Sequence, residues 1–192
     1  MRLLASLTSP YARKLRVIVH ELGLPVELVD TAPLDDGAEL LAANPLGKVP
    51  ALLRDGLPAL VDSPVIARYL LSLSPGQTLL PPDGEAHWQA LQGEAIVDGI
   101  LDAAIIMRFN ALQGVTSGLW IDRQRAAIAR ALAVLAERVG ETVDYPALCT
   151  VIACEYLDLR WPDIAWRDHA ALADLHARLA ERPSLAATRP PV

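Results

Sequence analysis

At 192 residues, 53% of them hydrophobic and 21% charged, the chain has enough apolar matter for one large domain or two small ones and too much for a disordered segment. A formal net charge of −6 at pH 7 argues against nucleic acid as a partner, because such binders need a basic face to displace counterions. The densest basic group, Arg13, Lys14 and Arg16, fits a single helix face, and no aromatic ladder accompanies it.

Met1 to Leu7 resembles the start of a signal peptide, but its apolar run is too short and Arg13 and Lys14 follow it. Arg2 to Leu7 reads instead as a buried strand ended by Thr8-Ser9-Pro10. Ser9 is placed as an N-cap and Pro10 as the first helical residue of a helix whose core face is Leu15, Ile18, Val19 and Leu22, and which ends at Gly23 and Pro25. Val26 to Val29 reads as a second strand, and Ala38 to Ala43 as a short helix closed by Asn44-Pro45.

Val49 to Leu53 and Leu57 to Val61 form two strands around the turn Arg54-Asp55-Gly56. Pro58 in the second of them suggests a sheet edge, where a missing N–H costs nothing. Ser63 reads as an N-cap with Pro64 at the first helical position, a ready site for an anion, opening a helix over Val65 to Leu73. Asn44-Pro45-Leu46-Gly47-Lys48-Val49-Pro50 reads as a backbone held open to take an extended ligand.

Turn residues from Ser74 to Gly84 form a linker, and everything beyond reads as helix: Glu85 to Ala111, Leu119 to Val139, Pro146 to Leu159 and Ala171 to Glu181, then a proline-bearing tail from Arg182 to Val192. Pro146 to Leu159 is apolar nearly all round and belongs at the centre of this half. Asp98, Asp102 and Arg108 interrupt the best candidate for a bilayer span, so no membrane partner is expected. Cys149 and Cys154 are about 500° of helix rotation apart and should be buried free thiols. Without a CxxC pattern, and with four dispersed histidines, there is neither a dithiol centre nor a metal site; free thiols suit the cytoplasm. His169 and His176 are read as surface residues, and Asp144 as the cap of the buried helix.

The architecture is therefore an α/β unit over residues 1–75 followed by an all-α unit over 85–192. With Ser9-Pro10-Tyr11 after the first strand, the tract ending in Val49-Pro50 and Asp62-Ser63 before the third helix, the chain resembles the glutathione transferase family over its whole length; Arg182-Pro183-Ser184-Leu185 also looks like bacterial members. The resemblance implies a thioredoxin-like N-terminal domain that binds glutathione, an all-helical C-terminal domain on the side of the second substrate, and a homodimer. Glutathione enters as co-substrate with no metal, and its partner is a small hydrophobic electrophile.

Such chemistry needs the glutathione thiolate. Lowering a thiol pKa from about 8.5 by two units requires roughly 2.7 kcal/mol of preference for the anion. A hydroxyl hydrogen bond to a charged group contributes about 1.5–3 kcal/mol, and a helix N-terminus about 0.3–1 kcal/mol. Ser9 could supply both, and the resemblance gives it the activating role of serine-type members; the alternative is that it only caps the helix. Thr8 offers a second hydroxyl nearby, and Tyr11 a phenol at the same site. Cysteine is absent from Ser9-Pro10-Tyr11-Ala12, which argues against disulfide exchange.

By the same resemblance Val49-Pro50 is a cis bond leaving the Val49 N–H and C=O to pair with the cysteinyl backbone of glutathione. Ser63 would bind the γ-glutamyl carboxylate through hydroxyl and N–H, Asp62 the ammonium, and Lys48 the glycyl carboxylate. Asp98 and Asp102, one turn apart on the long helix, are candidates for a cross-subunit contact with the γ-glutamyl amine. Met107, Arg108, Ala111 and Trp120 are candidates for the second-substrate pocket. Two other readings share this fold: a non-catalytic binder of glutathione or of an apolar ligand, and a glutathione-dependent isomerase or dehalogenase.

Overall fold

Strand β1 (Arg2–Ala5) carries the buried Leu3, Leu4 and Ala5 into the core of the first unit. The computed structural model describes residues 1–191. β1 stops two residues before Leu7 because a turn intervenes: the Ser9 N–H donates to the Ser6 carbonyl at 3.0 Å. Helix α1 (Pro10–Leu22) follows, capped by Ser9 and closed by Gly23 in the left-handed region at φ 59°. β2 (Glu27–Asp30) lies parallel to β1, and α2 (Ala38–Ala43) puts Leu40 against Leu4 and Ala51. β3 (Ala51–Arg54) and β4 (Leu57–Leu60) close an antiparallel hairpin around Asp55-Gly56, where Gly56 takes φ 72°. α3 (Ser63–Ser72) completes the βαβαββα order and packs on α1.

The sheet runs β2-β1-β3-β4, so β4 is an edge and Pro58 interrupts no ladder. The Pro58 carbonyl accepts from the Arg54 guanidinium at 3.1 and 2.7 Å. This mixed four-stranded sheet with its helices is the thioredoxin-like arrangement that the resemblance implied.

The chain divides into two compact units: residues 1–77 joined by the stretch from Pro183, and Thr78–Arg182. Two boundaries thus differ from those read in the sequence. Leu79 and Leu80, in the supposed linker, are buried, and the Leu79 carbonyl accepts from the Tyr145 N–H at 2.8 Å. The tail belongs with the α/β unit: helix α8 (Pro183–Ala186) packs on α1, the Ser184 hydroxyl bonds the Glu21 carboxylate, and Arg13 bonds the Leu185 carbonyl. Val192 lies outside the described residues. Arg13 and Lys14, on the basic face of α1, are buried.

In the helical unit α4 (Gly84–Leu112) packs on α5 (Leu119–Arg138) and α6 (Tyr145–Arg160), and α7 (Ala170–Leu179) on α5 and α6, after a 3₁₀ turn at Trp166–Asp168. α4 buries Ala90, Gly93, Glu94, Val97, Ile100, Leu101, Ala104 and Met107, a stripe at helical spacing. α6 is buried over most of its circumference, and its Asp144 cap accepts from the Ala147 N–H at 2.9 Å. Cys149 and Cys154 are buried free thiols, and burial pushes the Cys154 thiol well above its usual range. His176 departs from its surface reading: it is half-buried, its ring 5.3 Å from that of Trp166 and its Nε2 3.2 Å from Glu155 Oε1. Among the described residues no helix is long and apolar enough to cross a membrane.

Candidate functional site

Strand pairing gathers three of the sequence's motifs at one end of the sheet. Leu4 of β1 faces Ala51 of β3, and Leu52 of β3 faces Leu60 of β4. The end of β1, the start of β3 and the end of β4 therefore lie side by side. From those ends lead Ser6–Ser9, arrive Lys48–Pro50, and depart Val61–Ser63.

Ser9 caps α1 through its side-chain oxygen, which accepts from the Ala12 N–H at 3.3 Å. Its own hydroxyl hydrogen finds no acceptor among the described residues. Cap and donor are thus compatible in one side chain, since the cap occupies the oxygen and leaves the proton to give. Thr8 Oγ1 lies 3.3 Å from Ser6 Oγ, and Tyr11 is half-buried in the first turn of α1.

Val49-Pro50 is cis, and a second cis bond joins Val61 to Asp62. Pro50 is buried and Val49 half-buried against the cluster of Leu4, Leu40 and Ala51. The Val49 N–H and C=O make no hydrogen bond among the described residues, which leaves one donor and one acceptor for an added strand-like segment. Asn44 holds the preceding loop in place. It is 4% exposed, accepts from the Leu46 N–H at 3.0 Å and donates to the Lys48 carbonyl at 2.8 Å. Gly47 sits at φ 62°, with its N–H on the Asn44 carbonyl at 2.9 Å. The sequence reading used Asn44 as a helix stop and as the start of the tract ending in Pro50; Asn ahead of Pro is also an Asx-turn signal that could have found this role.

At α3 the N-cap is Asp62, and Ser63 is the first helical residue, one position on from where the sequence reading put them. The Asp62 carboxylate accepts the Ser63 N–H, so that N–H is already engaged and only the Ser63 hydroxyl is open. Ser63 is 0% exposed and its hydroxyl has no partner among the described residues. A buried hydroxyl left unpaired costs about 1–3 kcal/mol, and it lies in the first turn of a helix, where anions are favoured. Asp62 itself is exposed, with one carboxylate oxygen engaged by that cap. Lys48 is exposed, and its ammonium has no partner among the described residues.

In the helical unit Met107 is 1% exposed and sits in the α4 core stripe. Asp98 and Arg108 are half-buried, and Asp102 and Trp120 exposed.

A family model for the glutathione S-transferase N-terminal domain matches residues 3–78. The chain is 32% identical to an uncharacterized GST-like protein, YibF, of Escherichia coli K12, over 100% of this chain and 99% of that protein. Among solved structures it is similar to a glutathione transferase family member from Pseudomonas fluorescens Pf-5 with bound glutathione: 39% identity, TM-score 0.90, covering 100% of this chain and 99% of the other. A glutathione S-transferase from Methylobacterium radiotolerans in complex with glutathione sulfonate has 35% identity and a TM-score of 0.90, over 100% and 95% of the two chains.

Proposed function

The chain belongs to the glutathione S-transferase family, and from that premise we propose that it binds glutathione on its α/β unit and activates the thiol for transfer to a small electrophile. The observation that carries the reading is the fully buried Ser63 hydroxyl with no partner, held in the first turn of α3. It is a donor prepared for an anion, and the γ-glutamyl carboxylate supplies one. Exposed Asp62 takes the ammonium through its remaining carboxylate oxygen, a charge-assisted contact. The Val49 N–H and C=O take the cysteinyl backbone, and Lys48 the glycyl carboxylate. Pro50 shapes that strand, and Tyr11 contributes beside Ser9. The Pseudomonas relative with its bound glutathione supports the same ligand.

Ser9 then donates its hydroxyl hydrogen to the thiolate sulfur. Since its oxygen is already an acceptor for the Ala12 N–H, it works as a donor that favours the anion and not as a base that removes the proton. Such a bond contributes about 1.5–3 kcal/mol, which covers the roughly 2.7 kcal/mol needed for two pKa units. The helical unit carries the second substrate, and the active form is a homodimer in which Asp98 and Asp102 reach the neighbouring subunit's ligand.

The experiment is the pH titration of thiolate absorbance for glutathione bound to the protein. The bound thiol is expected to titrate about two units below the free value near 8.5, and Ser9→Ala to return it towards that value. Turnover of a chlorinated nitroarene should fall about tenfold or more in the same variant. No binding at millimolar glutathione would overturn the ligand; an unshifted thiol would leave a binder without activation.

A further inference from the structure

The arginines of the helical unit divide by their partners. Arg125 pairs with Asp163 at 2.6 Å and Arg167 with Asp158 at 2.6 Å. Arg108 of α4 and Arg160 of α6 have no carboxylate among the described residues, although both are half-buried. The Arg160 Nε is buried with no hydrogen-bond acceptor among the described residues.

Both guanidinium groups bear on the Tyr156 phenol, and Arg160 hydrogen-bonds it. Tyr156 and Arg160 are four apart on α6 and share a face. The Trp161 Nε1 donates to the Ala104 carbonyl at 3.1 Å, which fixes the end of α6 on α4 one turn before Arg108. Tyr156 is 5% exposed, and burial raises the pKa of its phenol while nearby Arg108 and Arg160 oppose the rise. Two like charges brought to one phenol, partly out of water and neither paired with an acid among the described residues, repel each other and lose hydration. That arrangement is stabilised by an anion placed between them.

We propose that Arg108, Arg160 and the Tyr156 hydroxyl form an anion subsite in the helical unit, and that the second substrate is an electrophile bearing a carboxylate. The inference rests on the transferase reading above and narrows its substrate class. A planar carboxylate suits two guanidinium forks, and the phenol adds a third donor. The competing role for Arg160 is to offset the negative end of α6, on whose last turn it lies.

The test titrates 3-nitrobenzoate and 3-nitrobenzamide into the full chain, following quenching of Trp161 beside the subsite. The benzoate is expected to bind about tenfold or more tightly than the amide, as loss of a charge-assisted contact implies. Arg108→Gln and Arg160→Gln should each abolish that preference, and Arg160→Lys should keep part of it. Equal affinity for the two probes in the unmodified protein overturns the subsite, and needs no variant to fold. An Arg160→Gln protein that melts lower but keeps its preference assigns Arg160 to the helix end and overturns it too. Retention on immobilised glutathione is measured alongside: its loss with the benzoate preference intact refutes the transferase reading alone, and the converse refutes the subsite alone.

Discussion

Arg13 of the first helix donates to the main-chain carbonyl of Leu185 at 3.1 Å, with Thr188 Oγ1 3.4 Å from its Nε, although 172 residues of sequence separate Arg13 from Leu185. The bond is buried and charge-assisted. It ties Leu185 and Thr188 to α1, the helix that Ser9 caps.

Replacing that guanidinium should therefore be costly. Arg13→Met keeps apolar bulk but removes the charged donor to the Leu185 carbonyl, which keeps the Thr188 N–H and hydroxyl at 3.3 Å, and a lost bond to a charged group costs about 1.5–3 kcal/mol. A drop of several degrees in thermal midpoint is expected, with limited proteolysis releasing the tail first. An unchanged midpoint and an intact tail would show the bond to be dispensable.

Ser63→Ala should separate binding from stability. The hydroxyl bonds nothing among the described residues, so removing it takes away an unsatisfied buried group and leaves the melting temperature equal or higher. Retention on immobilised glutathione should nonetheless fall about tenfold or more, as loss of one bond to a carboxylate implies. A variant that melts lower and binds normally would place the hydroxyl in the fold and not in the site.

Gly93 and Pro146 set the approach of α4 to α6. A Cβ at position 93 would lie 2.9 Å from the Pro146 Cβ, and neither the proline ring nor the helix can yield cheaply. Gly93→Ala should cost about 1–3 kcal/mol despite alanine's better helix propensity, lowering the midpoint by roughly 2–4 °C per kcal/mol. The neighbouring bond from the Tyr145 hydroxyl to Glu94 Oε1, 2.9 Å long, should weaken with it, visible as faster exchange of α6 amides. A midpoint at or above that of the parent protein would contradict the close contact.

Asp144 gives a pH-dependent case. Burial raises its pKa, the Ala147 N–H opposing, so near the carboxylate range the folded chain holds a proton that the unfolded chain has released. Its contribution to stability accordingly falls as pH rises through that range. Asn caps as well as Asp and carries no charge to desolvate. Asp144→Asn should equal or exceed the parent in denaturant midpoint at pH 7, with the advantage shrinking below about pH 4, where Asp is neutral. Asp144→Ala should lose about 1 kcal/mol, and less at pH 7 than at acid pH. An Asn variant as unstable as the Ala variant at pH 7 would show that the cap needs its charge.

Local chemistry is what made much of this protein legible from its residues alone. The Ser9 cap, the Gly23 stop, the two-residue turn at Asp55-Gly56 and the Asp144 cap depend on neighbours within four positions, so their sequence signals suffice. The same locality explains the one-residue error at α3: Asp62 and Ser63 are both good caps, and nothing local says which hydroxyl or carboxylate faces inward. The apolar runs and the switch from mixed to helical periodicity determined the two-part architecture, and the residue types of the site were in view from the start. Only the tertiary structure decided the rest. Strand order brought the Ser9, Val49 and Ser63 segments to one end of the sheet. Return of the tail buried Arg13 and moved a domain boundary. The docking of α6 on α4 brought Arg108 and Arg160 to bear on one buried phenol. Burial and the partners of a charge are properties of the whole packed chain, and a linear pattern cannot specify which distant groups will reach it.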